Sequence, residues 1–277
     1  MPYFSNAHGL RIHYQIDDFT DPWLDRPYLI LQHGNGRSGD FWYRWIPTLA
    51  THFKVIRPDM RGVGRSDAVT DVHGQISLNA CVEDLVGLID SLTDQPVYVC
   101  GESMGGILGI LLTAMYPEKV RALALVATPA FINETMKSRY ALGYSSRLEA
   151  MRGMGIEKWV RETSVLTRFP PDCDPALIDW YVKEFAKGVS EVLVRYAELV
   201  SSASAVDYLP KIKCPTLALF PKNGQITDDA QVNLFRQHLD KVDVRYIDSE
   251  FHMIHLTHAL ECAEAVQKFL GQAELAA

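Results

Sequence analysis

Short apolar runs alternate with stretches of helical periodicity along most of this chain. That alternation narrows the open folds more than any other feature. "PYLILQH" (27–33), "HFKVIRPD" (52–59), "PVYVCG" (96–101), "RALALVAT" (121–128), "CPTLALF" (214–220) and "VDVRYID" (242–248) read as strands. "GLRIHYQI" (9–16) alternates as an edge strand does. Between the runs, "SLNACVEDLVGLIDSL" (77–92) is spaced as a helix, with Ser77 placed to cap it. A second apolar helix follows Met104 and stops before Pro117, and "ALECAEAVQKFL" (259–270) closes the chain as an amphipathic one. Such a succession predicts an α/β fold, a mostly parallel central sheet flanked by helices on both faces.

The strand signal disappears between Thr128 and Asp207. Residues 131–206 read as helices rich in Arg, Glu and aromatics, with ten acidic residues against ten basic ones. The expected organisation is a core of 1–130 and 207–277 carrying a helical cap of 131–206. The cap is placed over the C-terminal edge of the sheet, where open α/β sheets bind ligands. Arg139, Arg147, Arg161 or Arg195 of this segment offers a guanidinium to a substrate carboxylate, while the charge balance makes solvated surface the default for each.

The 277 residues are 48% hydrophobic, enough for a large core, and the formal net charge of −7 argues against nucleic-acid binding. No secretory leader and no apolar stretch of membrane-spanning length is recognised, so the expectation is a cytoplasmic protein without membrane partners. The five cysteines are odd in number and widely spaced, which predicts reduced, mostly buried thiols. No cluster has metal-ligand spacing and no nucleotide motif is credible, so neither metal nor cofactor is expected. The partner expected is a small-molecule substrate; a homo-oligomer remains open.

The chemistry concentrates at "GESMGG" (101–106). A strand, then Gly101-Glu102-Ser103-Met104-Gly105, then a helix is G-x-S-x-G in the setting of a nucleophile elbow. The sharp turn holds a serine hydroxyl clear of the sheet, and the helix aims its first amides at the same spot.

With this block the chain resembles the α/β-hydrolase superfamily over nearly its whole length. "LQHGNG" (31–36), "RPDMRGVGRSD" (57–67) and "SEFHMIHL" (249–256) carry the rest of the resemblance in the family's order. It implies an α/β-hydrolase fold with the helical cap inserted after the sixth strand. It also implies Ser103 as nucleophile, His252 as base, and the backbone amides of Asn35 and Met104 as oxyanion hole. His33 is read as a structural, hydrogen-bonded histidine. "HGN" (33–35) is also similar to the haloalkane dehalogenases, but those carry aspartate where this chain has Ser103. "RGVGRSD" reads as a tight turn at Gly62 and Gly64, with Asp67 at the surface or in a cap. His255 is expected to pack or cap at the last helix, and His258 to be exposed.

The triad acid is missing from its expected places. Gly224 occupies the family's usual position, and the alternative falls at Ala127 or Thr128. Three readings stay open: an acid from a shifted loop, Asp228 or Asp229; a Ser–His dyad with Asn223, a backbone carbonyl or a water orienting the imidazole; or loss of hydrolysis. Asp228 and Asp229 also read as cap and first-turn residues of the next helix. The favoured function is a cofactor-independent serine hydrolase acting on an ester, lactone or amide of a small to medium, largely apolar substrate through an acyl-enzyme. The alternatives are C–C bond hydrolysis of a dicarbonyl compound, a ligand-binding protein, and cofactor-free oxygenase-type chemistry.

Overall fold

A computed structural model describes residues 2–275. Eight strands form one sheet: β1 (Tyr3–Ser5), β2 (Arg11–Asp17), β3 (Tyr28–Gln32), β4 (Lys54–Pro58), β5 (Val97–Glu102), β6 (Val120–Val126), β7 (Thr216–Pro221) and β8 (Val242–Ile247). Their order is β1-β2-β4-β3-β5-β6-β7-β8. The β1–β2 and β2–β4 pairs are antiparallel and the others parallel. The expected α/β-hydrolase architecture is what forms. β2 lies inside the sheet rather than at its edge, because the three-residue β1, too short to show an alternation, pairs outside it.

The chain order reverses around β3, which lies between β4 and β5. Loops after β3 and β5 therefore leave the same edge side by side and open a crevice. Gln32 pairs in register with Gly101, so Asn35 and Ser103 emerge close together.

The strand residues Leu29, Ile30, Val99 and Cys100 are fully buried because helices cover both faces. One face packs on the Leu78–Leu92 and Met104–Met115 helices, the other on Trp42, Trp45 and the Ala259–Leu275 helix. Ser77 caps as expected, its Oγ accepting from the Ala80 amide at 3.1 Å. The Met104–Met115 helix is buried all round from Met104 to Thr113, which explains its lack of a polar face.

After β6 the chain leaves the sheet for five helices of eight residues or more: Glu134–Ala141, Arg147–Met154, Ile156–Thr163, Pro175–Ala186 and Ser190–Ser202. Trp159, Phe169, Tyr181, Phe185 and Tyr196 are buried within this cap and against the core. A π-helical turn, Ser164–Arg168, follows the third of these helices. Among the described residues no helix is long and apolar enough to cross a membrane. The five cysteines are free thiols; Cys81, Cys100 and Cys262 are buried, Cys173 and Cys214 half-buried.

Candidate active site

Ser103 sits at φ 54°, ψ −119°, the left-handed half of the map that a side chain occupies only under constraint. Two close approaches impose it. A Cβ at Gly101 would lie 2.3 Å from the Gly105 carbonyl oxygen, and one at Gly105 would lie 2.2 Å from that of Gln32. Only hydrogen fits at either place, so β5 and its helix turn tightly against β3 and present the serine at the sheet edge.

The loop after β8 meets it. His252 Nε2 lies 3.0 Å from Ser103 Oγ. The same loop is bonded to the cap's π turn: the His252 amide donates to the Thr167 carbonyl at 2.9 Å, and that of Met253 to Arg168 at 3.1 Å. The π turn, which the sequence pattern did not reveal, thus fixes His252 and delivers Arg168 to the site.

Neither candidate aspartate joins them, which removes the shifted-loop reading; both take the cap and first-turn places that the sequence also offered. Asp228 is exposed and accepts from the Gln231 amide at 2.9 Å as the cap of the Asp229–His238 helix. Asp229 is an exposed first-turn residue of the same helix. Asn223 is exposed, Gly224 and Ala127 are buried, and Thr128 turns its hydroxyl to the carbonyls of Gly101 and Val126. Among the described residues, the one carboxylate within 4.0 Å of a His252 ring nitrogen belongs to Glu102, with Oε1 3.6 Å from Nε2. That is beyond hydrogen-bond length but within strong Coulomb reach. His252 Nδ1 is buried without a partner.

Glu102 was overlooked because it occupies a variable position of the G-x-S-x-G pattern. The available signal was a charged residue closing an apolar strand. It is fully buried, and its Oε2 accepts from Arg37 at 2.5 Å, while Arg37 also donates to the Tyr181 hydroxyl at 3.1 Å. Burial pushes the Glu102 carboxyl up, opposed chiefly by Arg37. Burial, then Arg37 and Arg168, hold His252 well below the usual histidine range, so it is neutral at pH 7.

His33 has the structural role expected. Its Nδ1–H donates to the Gly34 carbonyl at 2.9 Å and its Nε2 accepts from the Met60 amide at 3.1 Å. Burial lowers its pKa to about 4. His255 packs on Trp42, with ring centroids 5.5 Å apart, and its carbonyl accepts from Trp45 at 2.8 Å. His258, expected to be exposed, is half-buried with Nδ1 2.9 Å from Thr257 Oγ1. Gly62 and Gly64 turn at φ 72° and 60°, and Asp67 pairs with Arg11 at the surface.

The amides of Asn35 and Met104 donate to no acceptor among the described residues. The Asn35 side chain is buried and also unpartnered. Ser103, His252 and Asn35 border a cavity of about 30 Å³ together with Arg37, Arg147, Arg168, Tyr140 and aliphatic side chains. The lining departs from the largely apolar pocket expected. Of the four arginines singled out, only Arg147 reaches it. Arg139 bonds Gln225, Arg161 pairs with Asp179, and Arg195 holds Ile76 and Glu198. Roomier concavities lie elsewhere, such as a groove of about 680 Å³ beside Tyr43 and Trp180, but none of the residues of the serine site lines that groove. Among the described residues no group of three or more His, Cys, Asp or Glu is arranged to hold a metal ion.

A family model described as the alpha/beta hydrolase fold matches residues 27–161, which include the elbow, and the whole fold superposes on solved hydrolases. The chain has the α/β-hydrolase fold. This hydrolase is 24% identical to 3-oxoadipate enol-lactonase 2 of Acinetobacter baylyi over 245 residues, 86% of this chain and 88% of that one. It is 25% identical to 2-hydroxymuconate semialdehyde hydrolase of a Pseudomonas species over 261 residues, 90% of this chain and 88% of that one. The crystal structure of an enol-lactonase from Burkholderia xenovorans superposes with a TM-score of 0.83 at 24% identity, covering 98% of this hydrolase and all of that chain.

Proposed function

We propose that this enzyme hydrolyses a carboxylic ester, lactone or related acyl compound through an acyl-enzyme on Ser103. The observation that carries this reading is the 3.0 Å contact between Ser103 Oγ and His252 Nε2 on a strained elbow. A serine hydroxyl is a weak nucleophile until a base takes its proton. His252 is neutral at pH 7 and its Nε2 faces that hydroxyl.

Ser103 Oγ attacks the carbonyl carbon while its proton passes to His252 Nε2. The amides of Asn35 and Met104, which donate to no acceptor among the described residues, are the donors assigned to the oxyanion. His252 then protonates the leaving oxygen as the C–O bond breaks. A water, deprotonated by His252, attacks the acyl-enzyme and releases the acid and Ser103. Glu102 stands in for the missing triad acid by charge rather than by orientation. Its carboxylate lies 3.6 Å from the ring nitrogen that becomes positive, and the imidazole is held through its backbone by the π turn. Names of similar proteins, enol-lactonase and semialdehyde hydrolase, agree with acyl or carbonyl substrates.

The test is pre-steady-state hydrolysis of 4-nitrophenyl acetate. A burst of one nitrophenolate per active site, absent in Ser103→Ala, is expected. Turnover that survives in Ser103→Ala removes the acyl-enzyme from the mechanism.

A further inference from the structure

Two guanidinium groups at the cavity have no carboxylate within ion-pair distance among the described residues; the charge of Glu102 reaches Arg168 only from beyond that distance. Arg147 is 8% exposed and Arg168 is 3% exposed. Neither forms an ion pair among the described residues, whereas Arg37 is matched by Glu102. Arg147 Nε is buried without any hydrogen-bond partner. Arg168 is held by the Thr163 hydroxyl and, at 3.4 Å, by the Val160 carbonyl, both neutral acceptors.

The two cations also share one seat. The guanidinium carbon of Arg147 lies 4.9 Å from the centroid of the Tyr140 ring and 5.0 Å from that of Trp159; for Arg168 the distances are 5.3 and 5.2 Å. Like charges gathered on the same aromatic pair repel, and aromatic faces offset only part of the lost hydration. A fold retains such a pair where an anion completes it.

We propose that the substrate of this site carries a carboxylate, gripped between Arg147 and Arg168, with the scissile carbonyl a few bonds away at Ser103. This rests on the hydrolase reading above and names its substrate class. The planar forks of the two arginines suit the two oxygens of a carboxylate. The cavity of about 30 Å³ suits a small substrate, with Arg147, Arg168 and Ser103 all on its wall. In a chain of net charge −7, a cationic pocket beneath the cap selects for anions that the rest of the surface repels.

A matched pair of methyl esters tests this, with proton release as the readout. Monomethyl succinate carries a carboxylate where neutral methyl 4-methylpentanoate carries an isopropyl group of similar shape. Expected is a kcat/KM for the charged ester on the order of 100-fold higher, the scale of two charge-assisted contacts. Arg147→Met and Arg168→Met should each shrink that ratio roughly tenfold or more, and Arg168→Lys should restore part of it. Melting temperatures verify that the variants fold. A ratio near one in the wild type, or a ratio untouched by both Met variants, overturns the proposal. Should neither ester be cleaved, hydrolysis of such esters fails, yet the anion site is still read by calorimetry of succinate binding to Ser103→Ala. Binding abolished in the Ser103→Ala/Arg147→Met double variant upholds the site, and absent or unaffected binding removes it.

Discussion

The backbone amide of His252 donates to the carbonyl of Thr167 at 2.9 Å, across the junction of sheet and cap. His252 is thereby placed by a π turn of the cap. A π turn holds one residue more than an α turn, and here the extra residue sets where the Thr167 carbonyl and the Arg168 side chain fall. Deleting Val165, which is 58% exposed, removes that residue at little cost to the core. Expected is a fall in kcat/KM of about 100-fold or more from displaced catalytic groups, with the sheet still folded by circular dichroism. Near-normal activity in the deletion would mean that the π turn does not position His252.

Glu102 and Arg37 form a buried ion pair beside the base. Glu102→Gln keeps the shape but leaves Arg37 uncompensated, which costs about 3 kcal/mol or more in stability. The variant also withdraws negative charge from the nascent imidazolium, so kcat should drop roughly 10- to 100-fold. Arg37→Met/Glu102→Leu removes both charges and should recover most of the melting temperature without recovering kcat. Recovery of both would assign Glu102 a purely structural role.

Activity should persist into acid. The reaction needs neutral His252, and burial, Arg37 and Arg168 all hold its pKa well below 6.5. Glu102 and His255 are the other titratable groups facing it. As pH falls through 6.5 the imidazole therefore stays unprotonated, and kcat/KM for a neutral ester should remain level there before declining at lower pH. Arg168→Met should move the acid limb upward. An acid limb centred at or above pH 6.5 in the wild type contradicts this placement.

Stability should weaken over the same range. The folded pKa of His33 is about 4 against about 6.5 for the unfolded side chain, so below 6.5 the unfolded chain binds the proton more readily. Its contribution is complete above pH 6.5 and is lost as pH falls toward 4, roughly 2 kcal/mol of it by pH 5. His252 and His255 act in the same direction. Urea unfolding at pH 7 and pH 5 reads the difference, and equal midpoints would contradict it.

The sheet, the cap and the Ser103–His252 pair were legible because strand periodicity, helix spacing and the elbow's glycines are local properties of the chain. What escaped is made by distant residues meeting. Glu102 looked like filler until Arg37, 65 positions away, closed on it. Arg168 passed unnoticed because a π turn leaves no periodic signature. Asp228 and Asp229 matched an acid by proximity in sequence, but their local use as cap and first-turn residue prevailed. Arg147 was recognised as an arginine of the cap. Its difference from Arg139, Arg161 and Arg195 lies in burial without a partner, which no sequence pattern encodes.

The most direct test of an activated serine without a triad aspartate is intact mass after exposure to a fluorophosphonate. A single adduct on the wild type is expected, absent in Ser103→Ala and formed much more slowly in His252→Ala. An adduct that persists in Ser103→Ala, or none on folded wild type, would contradict Ser103 as the nucleophile.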